Sequence, residues 1–197
     1  MTRTIVESKT RTAIIGFDQP FCVIGERINP TGRKILNEEL ERGDFSRVEA
    51  DALAQVAAGA GILDINSGAV FSNKMAEDPR YADNNFVEPT LMKELVARVQ
   101  AITDCPLCID SSVPGALENG LAAAERRPLL NSVTGEEERL EMVLPLVKKY
   151  NVPVVPFPTM TPAFPKTPTC VLRWPRRSWN GPPISASPPM TSWWTRW

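Results

Sequence analysis

The sequence predicts an α/β fold built around a parallel β-sheet. From residue 20 to residue 155, short apolar runs alternate with longer amphipathic segments, which is the pattern of successive βα units. Helix-capping signals stand at the start of several amphipathic segments. The local signals and the overall alternation agree through five strands and four helices, as is typical of a foldable sequence.

The first predicted unit is the strand Phe21–Ile28 and the helix that follows it. Ser46 and Glu49 have the spacing of a capping box, so we expect Ser46 to be the N-cap of this helix. Gly59 and Gly61 are expected to end it, because glycine accepts the backbone conformation found after the last helical turn.

The second and third predicted strands are Ile62–Ile65 and Leu107–Asp110. Pro89 is expected to open the helix between them, and Ser112 to cap a further helix that begins near Pro114. The apolar face of the helix after Pro89 is predicted to comprise Leu91, Met92, Leu95, Val96 and Val99.

The last two predicted strands are Leu129–Asn131 and Val152–Val155. Between them, Thr134 and Glu137 have capping-box spacing ahead of an amphipathic helix. Its apolar face is predicted to comprise Leu140, Val143, Leu144 and Val147.

Charge and composition favour a small-molecule partner. The net charge of -1 and the pI of about 5.7 give no basic field for nucleic acid or an anionic membrane surface. The charged residues near the N-terminus leave no apolar core for a secretory signal, and no stretch approaches the ~18 apolar residues of a membrane span. We therefore expect a cytoplasmic protein with neither a membrane nor a nucleic-acid partner.

The cysteines are expected to be reduced. Cys22, Cys105, Cys108 and Cys170 are unevenly spaced and follow no secretory signal. Cys105 and Cys108 form a CxxC motif, but it runs into a predicted strand and the chain has no histidine to complete a zinc site. We expect these two residues to be buried strand cysteines, and we predict no bound metal.

The composition changes abruptly near residue 150. The last 47 residues hold no acidic residue, 11 of the 19 prolines and all five tryptophans. We therefore divide the chain into residues 1–155, a folded portion, and residues 156–197, a tail rich in proline and tryptophan.

Two explanations of this tail compete. PxxP spacings such as Pro162 to Pro165 would suit a proline-rich interaction segment. A shift of reading frame after Val155 would instead produce a disordered tail that was never selected to fold. We favour the frameshift, because disordered linkers are usually poor in aromatic residues and rich in charge.

Polar side chains stand at the end of each of the first four predicted strands or directly after it. In parallel α/β barrels the ligand site lies at the carboxyl ends of the strands, so these residues are candidates for binding. Carboxylates and amides that meet there suit a neutral heterocycle with amide and amino groups. The candidate binding residues are Glu26, Asn29, Asp64, Asn66, Asp110 and Asn131.

Some of these residues also have ordinary structural explanations. Asp64 or Asn66 alone can cap the following loop, and Asn29 can belong to a simple turn. Asp110 and Asn131 each end a strongly apolar run, which favours a functional role. No GxGxxG follows a strand and no GxxxxGK[ST] is present, so a phosphate cradle is not predicted.

Four motifs together resemble a known family. They are Ile24-Gly-Glu-Arg-Ile-Asn-Pro-Thr-Gly32, Leu63-Asp-Ile-Asn-Ser-Gly68, Pro106-Leu-Cys-Ile-Asp-Ser-Ser112 and Leu130-Asn-Ser-Val-Thr-Gly-Glu-Glu137. In this order they resemble the methyltetrahydrofolate:corrinoid methyltransferases and the folate-binding domain of cobalamin-dependent methionine synthase, over about residues 20 to 155. Both belong to the superfamily that includes dihydropteroate synthase.

The resemblance implies a pterin-binding TIM (β/α)8 barrel, usually dimeric, that binds 5-methyltetrahydrofolate in its mouth. It implies transfer of the N5-methyl group to a cob(I)alamin or other corrinoid carried by a partner protein or a cobalamin domain. Asp110 and Asn131 match the family's pterin-binding Asp and Asn. The cobalt is the nucleophile, so the resemblance assigns no catalytic nucleophile to the chain.

The sequence departs from the family in its later part. A complete barrel of this type needs roughly 250 residues, and the family's third pterin-binding Asp and its N5-contacting Asn lie on later strands that this sequence lacks. We expect a barrel truncated to about five strands, with an open edge, and a chain that is inactive as written.

Two other functions stay open. Dihydropteroate synthases carry an Asn-Val-Thr-Pro-Asp-Ser-Phe-Ser type loop after the first strand and a Gly-Gly-Glu-Ser-Thr type run after the second. This function is disfavoured because the segments that begin at Glu26 and Asn66 stand in these two places here. A non-enzymatic fragment that binds a partner through its proline-rich tail is the third possibility.

Overall fold

The computed structural model describes residues 3–68 and 87–157. An N-terminal hairpin precedes a series of strands and helices that alternate along the chain. The hairpin strands are β1 (Thr4–Glu7) and β2 (Thr12–Ile15). The elements that follow are β3 (Ile24–Ile28), α1 (Lys34–Glu41), α2 (Ser46–Ala57), β4 (Ile62–Asn66), α3 (Val87–Ile102), β5 (Leu107–Asp110), α4 (Pro114–Ala123), β6 (Leu129–Thr134), α5 (Glu137–Tyr150) and β7 (Val154–Phe157).

The main sheet has five strands in the order β3-β4-β5-β6-β7, and every neighbouring pair is parallel. Strands that follow one another in sequence are therefore neighbours in space, joined by helical crossovers as in successive βα units. The α/β class and the five parallel strands predicted from the sequence are confirmed.

The helices pack on one face of this sheet. Alternation along each strand turns one set of side chains, including Leu63, Ile65, Ile109 and Leu130, into the larger hydrophobic core against the helices. The helix α3 contributes the most buried residues to that core, and all five residues of its predicted apolar face are buried. Each such side chain stabilises the fold by about 1.5–3 kcal/mol.

The hairpin β1–β2 covers part of the opposite face, near the amino ends of the strands. Val6 is fully buried in a second, smaller cluster with Ile62, Cys108 and Leu129. The backbones of Glu7 and Arg127 also exchange hydrogen bonds. The sequence analysis did not predict this hairpin, whose four-residue strands are too short to show a clear period.

The boundaries of the first unit differ from prediction. The strand begins at Ile24, because Phe21 is 92% exposed and lies outside the sheet. The prediction also missed α1. Ser46 is the first residue of α2 and not its cap: its N–H and O–H both donate to Asp44 Oδ1, at 3.0 and 2.7 Å.

The other two predicted caps were also misplaced. Ser111 and not Ser112 accepts a hydrogen bond from the Val113 N–H, at 2.9 Å, ahead of α4. Thr134 donates its hydroxyl to the Glu136 side chain, so it forms no capping box with α5. In the first place the neighbouring Ser111 takes the backbone N–H, and in the second the Thr134 hydroxyl bonds to a side chain instead; spacing alone reveals neither.

The predicted apolar face of α5 is also only partly right. Val143 is buried as expected, but Leu146 is the other buried residue of this helix, while Leu140 and Val147 are partly buried against the core. The last strand runs two residues past the division predicted at residue 155, and residues 158–197 of the tail lie outside the described residues. Within the described ranges, no helix has the length and apolarity needed to cross a membrane.

Gly120 lies where α4 packs closely against the sheet and against α3. A Cβ atom at this position would lie 2.5 Å from Ile109 Cγ2 and 2.9 Å from Met92 Cγ. We therefore expect Gly120→Ala to lower the free energy of unfolding by about 1–3 kcal/mol, although alanine is the better helix former. Urea denaturation followed by circular dichroism measures this change.

Gly115→Ala is the matched control, because the same change in the same helix would meet Pro89 Cγ at an ordinary 3.4 Å. We expect this variant to be as stable as the wild type or up to about 1 kcal/mol more stable. Equal effects at the two positions would contradict the close packing described for Gly120.

Candidate functional site

The strand register places three predicted binding residues in one row. Asn66 pairs with Asp110 across β4 and β5, and Asp110 pairs with Asn131 across β5 and β6. Side chains at paired positions of parallel strands point to the same face. This face is the one opposite the helices, and the row lies at the carboxyl ends of the strands, an edge that we call the mouth.

Asn66 and Asp110 contact each other directly in this row. Asn66 Nδ2 donates a hydrogen bond of 2.8 Å to Asp110 Oδ2. Asn66 Oδ1 accepts the backbone N–H of Gly68 at 2.7 Å. Both ends of the Asn66 amide are thus occupied within the protein, so this residue holds Asp110 in place.

Asp64 lies one row deeper on the same face, level with Cys108. It is only 2% exposed. Its Oδ1 accepts a long hydrogen bond of 3.4 Å from Asn131 Nδ2, and Oδ2 has no hydrogen-bond partner among the described residues. A buried carboxyl oxygen without a partner is costly, which marks this position as unusual.

Burial raises the pKa of the Asp64 carboxyl to about 7, and the negative charges of Asp110 and Glu26 act in the same direction. Hydrogen bonds from Cys108 and Asn131 oppose this increase. Burial also raises the pKa of Asp110, where the hydrogen bond from Asn66 opposes it. The mouth therefore holds carboxyl groups at short range that favour the protonated form more than free aspartate does.

Glu26 and Asn29 lie at the β3 end of the mouth. Glu26 is exposed, and its Oε1 accepts a hydrogen bond of 3.4 Å from Asn29 Nδ2. Asn29 Oδ1 accepts the backbone N–H of Thr31, as in a turn. The structure thus brings four predicted residues together on one face of the sheet as two hydrogen-bonded pairs, Asn66 with Asp110 and Asn131 with Asp64. Glu26 is near enough to affect the Asp64 pKa. Asn29 contacts only the loop and Glu26.

A second polar group at the mouth was not predicted. The buried Ser111 donates its hydroxyl to the Glu88 side chain, and the buried Ser67 donates to the Glu88 backbone carbonyl at 3.1 Å. These bonds join the ends of β4 and β5 to the first turn of α3. Each serine directly follows the end of a strand, which could have marked it as a residue of the mouth. Nothing in the sequence indicates that Ser67 and Ser111 both contact Glu88.

The cysteines of the CxxC motif lie away from solvent. Cys105 and Cys108 are both buried free thiols, as predicted, and burial raises the pKa of each. A thiol whose pKa is raised is a poor nucleophile and a poor metal ligand at neutral pH. In residues 3–68 and 87–157, no group of three His, Cys, Asp or Glu side chains is arranged to hold a metal ion.

A cavity of about 290 Å³ lies at the opposite end of the strands. The hairpin turn and the end of α3 line it, with Thr10, Gln100 and Asp104 among its polar residues. These side chains already form hydrogen bonds within the protein. Thr10 donates to Asp104, and Gln100 bonds to the backbone of Ala123 and Glu125. The cavity thus belongs to the packing of the hairpin and is separate from the mouth.

Comparison with known proteins identifies the family. Residues 25–169 match the sequence profile described as pterin binding enzyme. The chain belongs to the pterin-binding enzyme family. Its five parallel strands and the helices that join them are the α/β arrangement predicted from the sequence.

The relatives of this pterin-binding chain include methyltransferases. It is 29% identical over 124 residues to the methylcorrinoid:tetrahydrofolate methyltransferase of Eubacterium limosum, a match covering 63% of this chain and 40% of that protein. It is 29% identical over 154 residues to the methionine synthase of Mycobacterium leprae, covering 75% of this chain and 12% of that protein. The chain therefore spans well under half the length of these relatives.

Solved structures of dihydropteroate synthases also align with the pterin-binding chain. The enzyme from Xanthomonas albilineans with 4-aminobenzoic acid has 21% identity and a TM-score of 0.45, covering 85% of this chain and 55% of that one. The enzyme from Vibrio fischeri has 18% identity and a TM-score of 0.44, covering 84% and 53%.

The raised pKa of Asp64 predicts a pH dependence of stability. The unfolded carboxyl, with a pKa near 3.8, releases its proton before the folded one, with a pKa of about 7. The contribution of Asp64 to stability is thus greatest at low pH and is lost as the pH rises through 7. Between pH 5.5 and 8 we expect the free energy of unfolding to fall by about 2 kcal/mol.

Asp64→Asn removes this titration, so its free energy of unfolding is expected to change much less over the same range. Urea denaturation of both proteins at pH 5.5 and pH 8 makes the comparison. Equal losses in the wild type and the variant would show that Asp64 ionises normally.

Proposed function

We propose that the mouth binds the pterin ring of a folate, for transfer of a methyl group between N5 of the folate and a corrinoid. The observation that carries this proposal is the pair formed by Asp110 and Asn131, which the strand register places side by side at the mouth. Each is held by a second polar side chain, Asn66 or Asp64. Such preorganised groups suit one fixed ligand orientation.

The chemistry of the pair fits a pterin. Asp110 Oδ2 and Asn131 Nδ2 are bonded within the protein, which leaves Asp110 Oδ1 and Asn131 Oδ1 without a described partner. Both of these oxygens accept hydrogen bonds. A 2-amino-4-oxo ring offers adjacent N–H donors along one edge, which is the complementary pattern.

Methyl transfer needs little covalent chemistry from the protein. As the methyl group passes from N5 to a cob(I)alamin, the electron pair of Co(I) forms the new Co–C bond and the cobalt becomes Co(III). The N5–C bond breaks, its electron pair stays on N5, and N5 takes up a proton. The corrinoid is a second substrate, which we propose is carried by a partner protein or a cobalamin domain. The protein has only to orient the ring and exclude competing groups.

The direction of transfer is open. The name of the relative from Eubacterium limosum describes transfer from a methylcorrinoid to tetrahydrofolate, whereas the resemblance predicted transfer from 5-methyltetrahydrofolate. The two are one reaction and its reverse, so the same binding residues serve both.

Dihydropteroate synthase is the second candidate, and the sequence disfavours it. That reaction releases pyrophosphate, a strongly anionic leaving group that calls for basic side chains. The six candidate residues comprise three carboxyl groups and three amides, with no lysine or arginine. This composition suits the neutral ring edge that both candidates share, and the preference for the methyltransferase follows from the sequence segments that begin at Glu26 and Asn66.

Binding measurements on the full chain separate these functions. Isothermal titration with 5-methyltetrahydrofolate is expected to show binding, and 6-hydroxymethyl-7,8-dihydropterin pyrophosphate is expected to bind no better than the same pterin without the pyrophosphate. A marked gain from the pyrophosphate would favour the synthase. If neither folate nor pterin binds, the proposal of a pterin site is wrong.

Asp110→Asn tests the residue on which the site depends most. Loss of the carboxylate removes a charge-assisted hydrogen bond, so we expect the affinity for 5-methyltetrahydrofolate to fall by about 10- to 100-fold. Asp104→Asn is the matched control, because Asp104 lies beyond the other end of β5, bonded to Thr10. Its affinity should equal that of the wild type, and similar losses in both variants would contradict the proposed site.

A further inference from the structure

We propose that Asp64 is a positioning residue that turns the Asn131 carbonyl toward the ligand, so that Asp110 and Asn131 each present a hydrogen-bond acceptor to it. This inference rests on the proposed function and adds a basis for specificity. It concerns a residue that lies beneath the row of Asn66, Asp110 and Asn131.

The direction of the Asn66 amide shows how such control works. A backbone N–H can only donate, so the contact with Gly68 requires the oxygen of Asn66 to face it. The nitrogen of Asn66 must then face Asp110, and it occupies Oδ2 of that carboxyl. Asp110 is thereby left with one acceptor oxygen for a ligand.

The orientation of the Asn131 amide is set in a similar way by Asp64, which lies one row deeper. Its Nδ2 lies 3.4 Å from Asp64 Oδ1, an oxygen that accepts a hydrogen bond from it. Because the two ends of an amide point apart, the Asn131 oxygen is directed away from Asp64. In its ionised form Asp64 can only accept hydrogen bonds, and it can hold this direction because it is almost fully buried in the middle of β4.

A purely structural role explains Asp64 poorly. Its Oδ2 is buried without a described partner, and an apolar residue would avoid that cost of burial. Asp64 also lies level with the apolar Leu129 row rather than at the open mouth. Among the described residues, its one hydrogen bond to a candidate ligand-binding residue is that with Asn131.

The consequence is a preference among ring systems. Two acceptors side by side favour a ring that offers an amino group and a neighbouring N–H, such as a 2-amino-4-oxopteridine. They disfavour a 2,4-dioxopteridine, which places a carbonyl oxygen where the amino group would be. An Asn131 free to turn over would offer its own N–H groups and accommodate either ring.

The experiment measures this preference directly with pterin and lumazine, the simplest rings of the two kinds. Both fluoresce, so their dissociation constants can be measured by titration with the full chain. In the wild type we expect pterin to bind at least about 10-fold more tightly than lumazine, the effect of one mismatched hydrogen bond. In Asp64→Ala we expect the ratio to fall to about 3-fold or less.

Asp64→Asn is the intermediate variant, because its amide can accept a hydrogen bond from Asn131 or donate one to it. Its pterin-to-lumazine ratio should lie between those of the wild type and Asp64→Ala. If Asp64→Ala does not fold, Asp64→Val, which fills the space without an acceptor, is measured in its place.

The outcomes separate this inference from the proposed function. A wild type that binds neither ring would contradict the pterin site itself and the inference with it. A wild type that prefers pterin, with an unchanged ratio in Asp64→Ala or Asp64→Val, would overturn only the role of Asp64. A general loss of structure would weaken the binding of both rings and leave their ratio unchanged, so the ratio identifies positioning.

Discussion

Parallel pairing of β4, β5 and β6 in a fixed register is the constraint on which the candidate site depends. Because side chains alternate along a strand, a slip of one residue would turn Asn66, Asp110 or Asn131 into the core against the helices. The apolar residues between these positions, such as Leu63 and Ile109, prevent such a slip by their burial. The packing of the helices thus fixes the polar row at the mouth.

The two ends of the strands differ in composition and in contacts. At the amino ends, the hairpin covers apolar side chains and its polar residues bond to one another. At the carboxyl ends, carboxyl and amide groups are held in pairs, and the buried Asp64 carries a raised pKa. This division agrees with barrels of this kind, in which one end provides stability and the other provides function.

The sequence predicted much of this arrangement because its signals are local. The strand Leu107–Asp110 and the buried face of α3 follow from runs of apolar residues, and both are confirmed. The hairpin and α1 were missed because they are short. The hairpin is also stabilised by contacts distant in sequence, such as that between Glu7 and Arg127. The bond between Asn131 and Asp64 joins strands that are not adjacent, so no spacing rule reveals it. The family match and the methyltransferase relatives support the pterin interpretation of the same residues.

The most direct test of the account is a crystal structure of this chain with 5-methyltetrahydrofolate. The account predicts the amino and N–H edge of the ring within hydrogen-bond distance of the Asp110 and Asn131 side-chain oxygens, at the mouth. A ring bound elsewhere, for example in the cavity beside Thr10 and Gln100, with no contact to Asp110 or Asn131, would contradict it.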